Sequence, residues 1–181
     1  MGNVYILLAR GFEEAEAIVP ADLLKRAGAN VFLVGTEGGL SVDGAHGFTV
    51  IADILIDEIR REEMACLVLP GGLHGTESLS ENPQVLSLIE YAANRGIYIG
   101  AICAAPSILG KMRLLDGRNA AVYPGFDDAM KYANVTGKKV EHDDIFITAE
   151  GMGVSHEFGF KLIEVMFGAQ AADDIRNQIR F

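Results

Sequence analysis

A chain of 181 residues, half of them hydrophobic and 22% charged, has the composition of a globular protein and the length of one domain able to bury a full core. Its net charge of −10 and pI of about 4.8 argue against nucleic-acid backbones and anionic membranes as partners. Two cysteines are too few for a disulfide framework or a cysteine-based zinc site, and no apolar run reaches the roughly 20 residues needed to span a bilayer.

Met1-Gly2-Asn3 lacks the basic start and cleavage site of a secretory signal, so a cytoplasmic protein is expected, folded as one domain over residues 1–181. The run 4–9 reads as a first buried strand, broken by Gly11-Phe12. A helix follows over 13–27, with Ala17, Ala21 and Leu24 on its apolar face, Pro20 loosening it and Gly28 ending it. Strand 31–34 is closed by Gly35, and Asp43-Gly44 signals a hairpin between 40–42 and 48–51. Strand 66–69 stops at Pro70-Gly71-Gly72. Residues 83–95 form a helix ended by Gly96, and 97–102 form the next strand. Later strands are expected at 120–122 and 145–147, and Ser155 is expected to cap a helix running to Met166. Apolar strands alternating with helices imply a parallel sheet covered on both faces, whose ligands bind at the carboxyl ends of the strands.

Cys103 lies at such an end. It closes an apolar strand and precedes Ala104-Ala105-Pro106, with Pro106 in the first turn of a helix, where a missing N–H costs little. The small neighbours Gly100, Ala101, Ala104 and Ala105 suit a strand-to-helix nucleophile elbow, and unpaired amides at the helix start favour a thiolate. A lone cysteine is also commonly core, which is the reading given to Cys66 inside its strand.

Segments 10–16 and 70–75 end on the same crevice. Acids Glu13, Glu14 and Glu16 suit a helix start through the dipole alone; one of them pushed beside a thiolate would stay protonated and donate to sulfur, and spacing does not say which. The loop 70–75 offers backbone donors that, with the amide after the cysteine, suit an oxyanion hole. It has neither P-loop nor dinucleotide spacing. Of the four histidines, His74 is best placed by the crevice argument and His46 next, while His142 lies in a charged loop.

Gly11-Phe12-Glu13-Glu14-Ala15-Glu16 with Pro20-Ala21-Asp22, Leu69-Pro70-Gly71-Gly72, Ala101-Ile102-Cys103-Ala104-Ala105-Pro106 and Thr148-Ala149-Glu150-Gly151-Met152-Gly153 together resemble the DJ-1/PfpI (ThiJ) family, on the side of its DJ-1-like deglycase and glyoxalase branch. The resemblance implies an α/β, flavodoxin-like three-layer sandwich with a mostly parallel sheet, usually a homodimer. It assigns the nucleophile to Cys103, the protonated carboxyl partner to Glu16 and oxyanion donors to the amides of Gly72 and Ala104. It also implies action on methylglyoxal, another small aldehyde or a glycated substrate with no added cofactor or metal; other members are described as oxidative-stress sensors or chaperones.

Two departures bear on chemistry. The protease-like branch has a histidine after its cysteine, where this chain has Ala104, so peptidase activity is disfavoured. The human-type branch has a histidine where Tyr123 stands; tyrosine is a poor base near neutral pH but a serviceable hydrogen-bond donor lining the pocket. A glutamine amidotransferase reading lacks a His-x-Glu partner. A redox-sensing reading uses the same Cys103–Glu16 pair, so the residues alone do not separate it from catalysis.

Overall fold

The computed structural model describes residues 2–181. Strand β1 (Asn3–Leu8) leads through a turn into α1 (Glu14–Arg26), then β2 (Asn30–Gly35), the hairpin β3 (Ser41–Asp43) and β4 (Thr49–Ile51), and the short β5 (Ile54–Leu55). Next come β6 (Met64–Leu69), α2 (Leu73–Glu81), α3 (Pro83–Arg95), β7 (Tyr98–Ile102) and α4 (Pro106–Lys111). The two-residue strands β8 (Asn119–Ala120) and β9 (Asn134–Val135) precede β10 (Val140–Asp143), β11 (Phe146–Ala149), α5 (Ser155–Phe167) and α6 (Ala169–Ile179).

Seven strands form one sheet in the order β10-β11-β7-β6-β1-β2-β5, parallel throughout except for the β10–β11 pair. Side chains alternate across it. Val4, Ile6, Leu8, Cys66 and Val68 pack under α1, α5 and α6, while Tyr5, Leu7, Leu67 and Leu69 pack under α3 and α4. Both faces are therefore dry, which is why the strands read as continuous apolar runs. Gly100 serves this packing rather than the elbow: a Cβ there would sit 2.9 Å from the Phe158 ring of α5.

The chain leaves β1 for β2 on one side and returns to β6 on the other. The order thus reverses between β1 and β6, and a crevice opens at their carboxyl ends.

Several local expectations change. The hairpin turn is the five-residue loop 44–48, closed by Gly44 N–H to the Phe48 carbonyl, in place of a tight Asp-Gly turn. The strand expected at 120–122 ends at Ala120, because the Ala121 N–H is taken by the Thr148 hydroxyl at 2.9 Å. Ser155 is the first helical residue and not the cap; its hydroxyl donates to the Met152 carbonyl of the preceding 3-10 turn. No helix among the described residues is long and apolar enough to cross a membrane.

Candidate active site

Three chain segments meet in the crevice. After β7 the backbone turns at Cys103 with φ +65°, a left-handed conformation that costs a non-glycine residue on the order of 1–3 kcal/mol. Hydrogen bonds on both sides hold it: Cys103 N–H donates to the Ala149 carbonyl (2.9 Å), and Tyr123 N–H donates to the Cys103 carbonyl (2.8 Å). Pro106 then opens α4, as the sequence implied. This is the geometry of a nucleophile elbow.

Gly71 ties the first turn of α1 to this point. Its carbonyl accepts from Glu13 N–H at 3.0 Å, and its N–H donates to Glu16 Oε2 at 2.8 Å. A Cβ on Gly71 would lie 2.5 Å from Glu16 Oε2 and 2.6 Å from Cys103 Cβ, so only glycine lets the three approach. Glu16 is fully buried, and its Oε1 has no partner of good geometry among the described residues. Gly72, at φ +88°, presses against the backbone of Gly11 and Glu13. The amides of Gly72 and Ala104 act on the Cys103 sulfur and favour its thiolate.

Protonation follows from this enclosure. Burial pushes the Glu16 carboxyl up to about 7, against the pull of the Gly71 amide and the Cys103 contact, and the charge of Glu13 adds to the rise. Burial, and then the charge of Glu16, push the Cys103 thiol up to about 12, against the two amides that favour a thiolate. The helix-terminus expectation of a lowered thiol is thus corrected. Helix α4 has six residues and starts three positions later, so desolvation and the facing carboxylate outweigh it. One of those two causes vanishes when Glu16 holds its proton, so Cys103 and Glu16 ionise as a pair. Cys66, fully buried in β6, is pushed to about 12 by burial.

The remaining candidates separate. The loop expected over 70–75 ends at Gly72, because α2 begins at Leu73 and turns His74 outward. His74 is exposed, with Glu77 at 3.9 Å, beside a separate depression lined by Arg10, Gly11 and Asp43. His46 is drawn to the α1 terminus instead, 3.0 Å from Glu14 Oε2 and 3.4 Å from Glu13 Oε2. Glu14 also accepts the His46 and Phe48 amides, fastening the hairpin loop to α1, so two of the three acids are engaged outside the crevice. Gly71 was missed as the residue that orients Glu16; the Pro-Gly-Gly signal was visible, but which amide points where was not.

Tyr123 reaches the elbow through its backbone, while its ring lies against Gly151, half exposed, and its hydroxyl has no hydrogen-bond partner among the described residues. Tyr123→Phe is therefore expected to lower kcat/KM by no more than roughly 2- to 13-fold, the equivalent of about 0.5–1.5 kcal/mol for one neutral hydrogen bond. Steady-state kinetics check this; a loss of 10² or more would make tyrosine the proton carrier.

The sequence model of the DJ-1/PfpI family matches residues 2–165. The chain belongs to that family. Protein dj-1beta of Drosophila melanogaster is 33% identical over 175 residues, which cover 96% of this chain and 94% of the relative. A deglycase of Pyrococcus horikoshii is 34% identical over 153 residues, covering 84% and 88%. Among solved structures, oxidized DJ-1 of Toxoplasma gondii matches with a TM-score of 0.94 and 31% identity over 100% of this chain and 99% of that one. The flavodoxin-like sandwich expected of the family is the fold observed.

Proposed function

We propose that this protein is a cysteine enzyme of the glyoxalase/deglycase type, acting on methylglyoxal-like 2-oxoaldehydes or their adducts. The buried Glu16 carboxyl set against Cys103, with two amides directed at the sulfur, carries this reading. The thiolate adds to the aldehyde carbon C1, and the resulting oxyanion takes the Gly72 and Ala104 amides. Glu16, which takes the thiol proton as sulfur adds, passes it to that oxygen. As a carboxylate it then accepts the proton on C1 and returns it to C2, while the hydroxyl proton moves from the C1 oxygen to the C2 oxygen. This isomerises the hemithioacetal to a thioester of a 2-hydroxy acid, C1 being oxidised as C2 is reduced. Water cleaves the thioester, releasing the acid and restoring the thiol. A carboxyl near 7 suits a group that both takes and gives a proton. The Pyrococcus relative described as a deglycase supports a deglycase-like role.

We further infer that the protein works as a homodimer. Ile18 of α1 and Phe48 and Ile51 of the hairpin are exposed on elements that Glu14 fastens together. The second reading, redox sensing at Cys103, draws on the relative solved as oxidized DJ-1. Purified protein under reducing conditions should convert methylglyoxal to lactate with no added cofactor. If mass spectrometry instead shows stable oxygen addition at Cys103 after peroxide and no lactate forms, the sensor reading replaces the enzyme.

A further inference from the structure

Methylglyoxal carries only a methyl group on its reacting dicarbonyl, while two depressions lie on segments linked to the Cys103 turn. A depression of about 470 Å³ is lined by Tyr123, Pro124, Glu150, Met152 and Val154. Two of its walls connect to the elbow: Tyr123 donates its N–H to the Cys103 carbonyl, and Glu150 follows Ala149, whose carbonyl accepts the Cys103 N–H. A second depression, of about 320 Å³, is walled by Leu73 and Phe126 together with polar residues such as Glu77, Ser107 and Lys111. Leu73 follows Gly72, whose amide faces the sulfur.

Three large apolar side chains stand uncovered on these two depressions: Met152 at 55% and Tyr123 at 49% exposure on the larger, and Leu73 at 72% on the smaller. Uncovered apolar surface gains free energy when a ligand excludes water from it, and a methyl group is too small to do so. In the larger depression a hydroxylated, sugar-derived substituent would meet only the Tyr123 hydroxyl and the Glu150 carboxylate as polar side chains, against the apolar Pro124, Met152 and Val154. Glu150, the one charged side chain among those lining the larger depression, disfavours an anionic substituent.

We infer that the preferred substrates are 2-oxoaldehydes carrying an uncharged aromatic or branched aliphatic group on C2, and that Leu73, Tyr123 and Met152 determine this specificity. The inference rests on the glyoxalase reading and adds no chemical step to it: the substituent remains on C2 while the carbonyl carbons exchange oxidation level.

The test compares kcat/KM for methylglyoxal, 4-methyl-2-oxopentanal and phenylglyoxal, read as lactate, 2-hydroxy-4-methylpentanoate and mandelate. The two larger aldehydes should exceed methylglyoxal by roughly 10-fold or more, in line with what additional apolar contact contributes in a pocket. Leu73→Asn and Met152→Ser should each shrink that ratio, and Met152→Leu should keep it. Equal efficiency for all three aldehydes, or a ratio untouched by both polar variants, overturns the specificity assignment and leaves the enzyme reading standing. Turnover of none overturns both.

Discussion

Cys103→Ser should abolish 2-hydroxy acid formation, with kcat/KM falling by more than about 10³-fold, because removing the nucleophile of a concerted site removes the whole covalent route. The fold should survive, since serine fits the same left-handed position and the bonds that hold the turn are made by its backbone. In the wild-type protein, iodoacetamide should modify Cys103 and spare Cys66. Cys66 is sealed in β6, beneath helices on one face of the sheet, whereas Cys103 is only partly covered and opens on the crevice. The Cys103 rate should keep climbing with pH above 7, because burial and the charge of Glu16 push the thiol up to about 12. Peptide mapping after graded alkylation reads both. Preferential labelling of Cys66, or turnover by the serine variant within tenfold of wild type, would remove Cys103 from its role.

What the sequence made legible was whatever is encoded locally. Helix α3 falls on residues 83–95 because its signals are adjacent to it. Asn82 Oδ1 accepts the Gln84 N–H at 2.9 Å, Pro83 stands at the first position, and Gly96 closes the helix in the left-handed conformation. The five central strands were readable because burial on both faces demands uninterrupted apolar runs.

Elements set by distant contacts were not readable. Helix α2 starts on Gly72, which has no side chain to cap with, so its first turn, Leu73-His74-Gly75, passed for loop and His74 was placed in the crevice. Strand β10 is a polar edge that exists through its pairing with β11. Helix α6 is largely polar and is held by a few buried residues such as Ala172 and Ile175.

The site divides in the same way. The elbow is local, so Cys103, Ala104 and Pro106 carry it in plain view. Which of three glutamates enters the crevice depends on Gly71, which lies 55 residues beyond Glu16 and whose amide selects its carboxyl. Spacing within α1 carries no trace of that choice.

That selection makes Glu16→Gln the variant that separates reactivity from turnover. Glutamine keeps an acceptor for the Gly71 amide and a donor toward sulfur, but it exchanges no proton. The loss in kcat/KM should reach the 10²–10⁴-fold typical of a missing acid–base group. Alkylation of Cys103 should persist and become easier, because the carboxylate charge that raises the thiol is gone. Stability supplies an independent reading. Unfolded Glu16 releases its proton near 4.5, and folded Glu16 holds it until about 7. Between those values the native state binds more protons than the unfolded state, so stability falls as pH rises through this window. The wild-type protein should therefore lose about 3 kcal/mol, at 1.36 kcal/mol per pKa unit, that the glutamine variant does not lose. Urea denaturation of both proteins at pH 4.5 and pH 8 measures the difference. Equal pH dependence would mean that Glu16 ionises like a free carboxylate, and undiminished turnover in the variant would mean that another group moves the proton between C1 and C2.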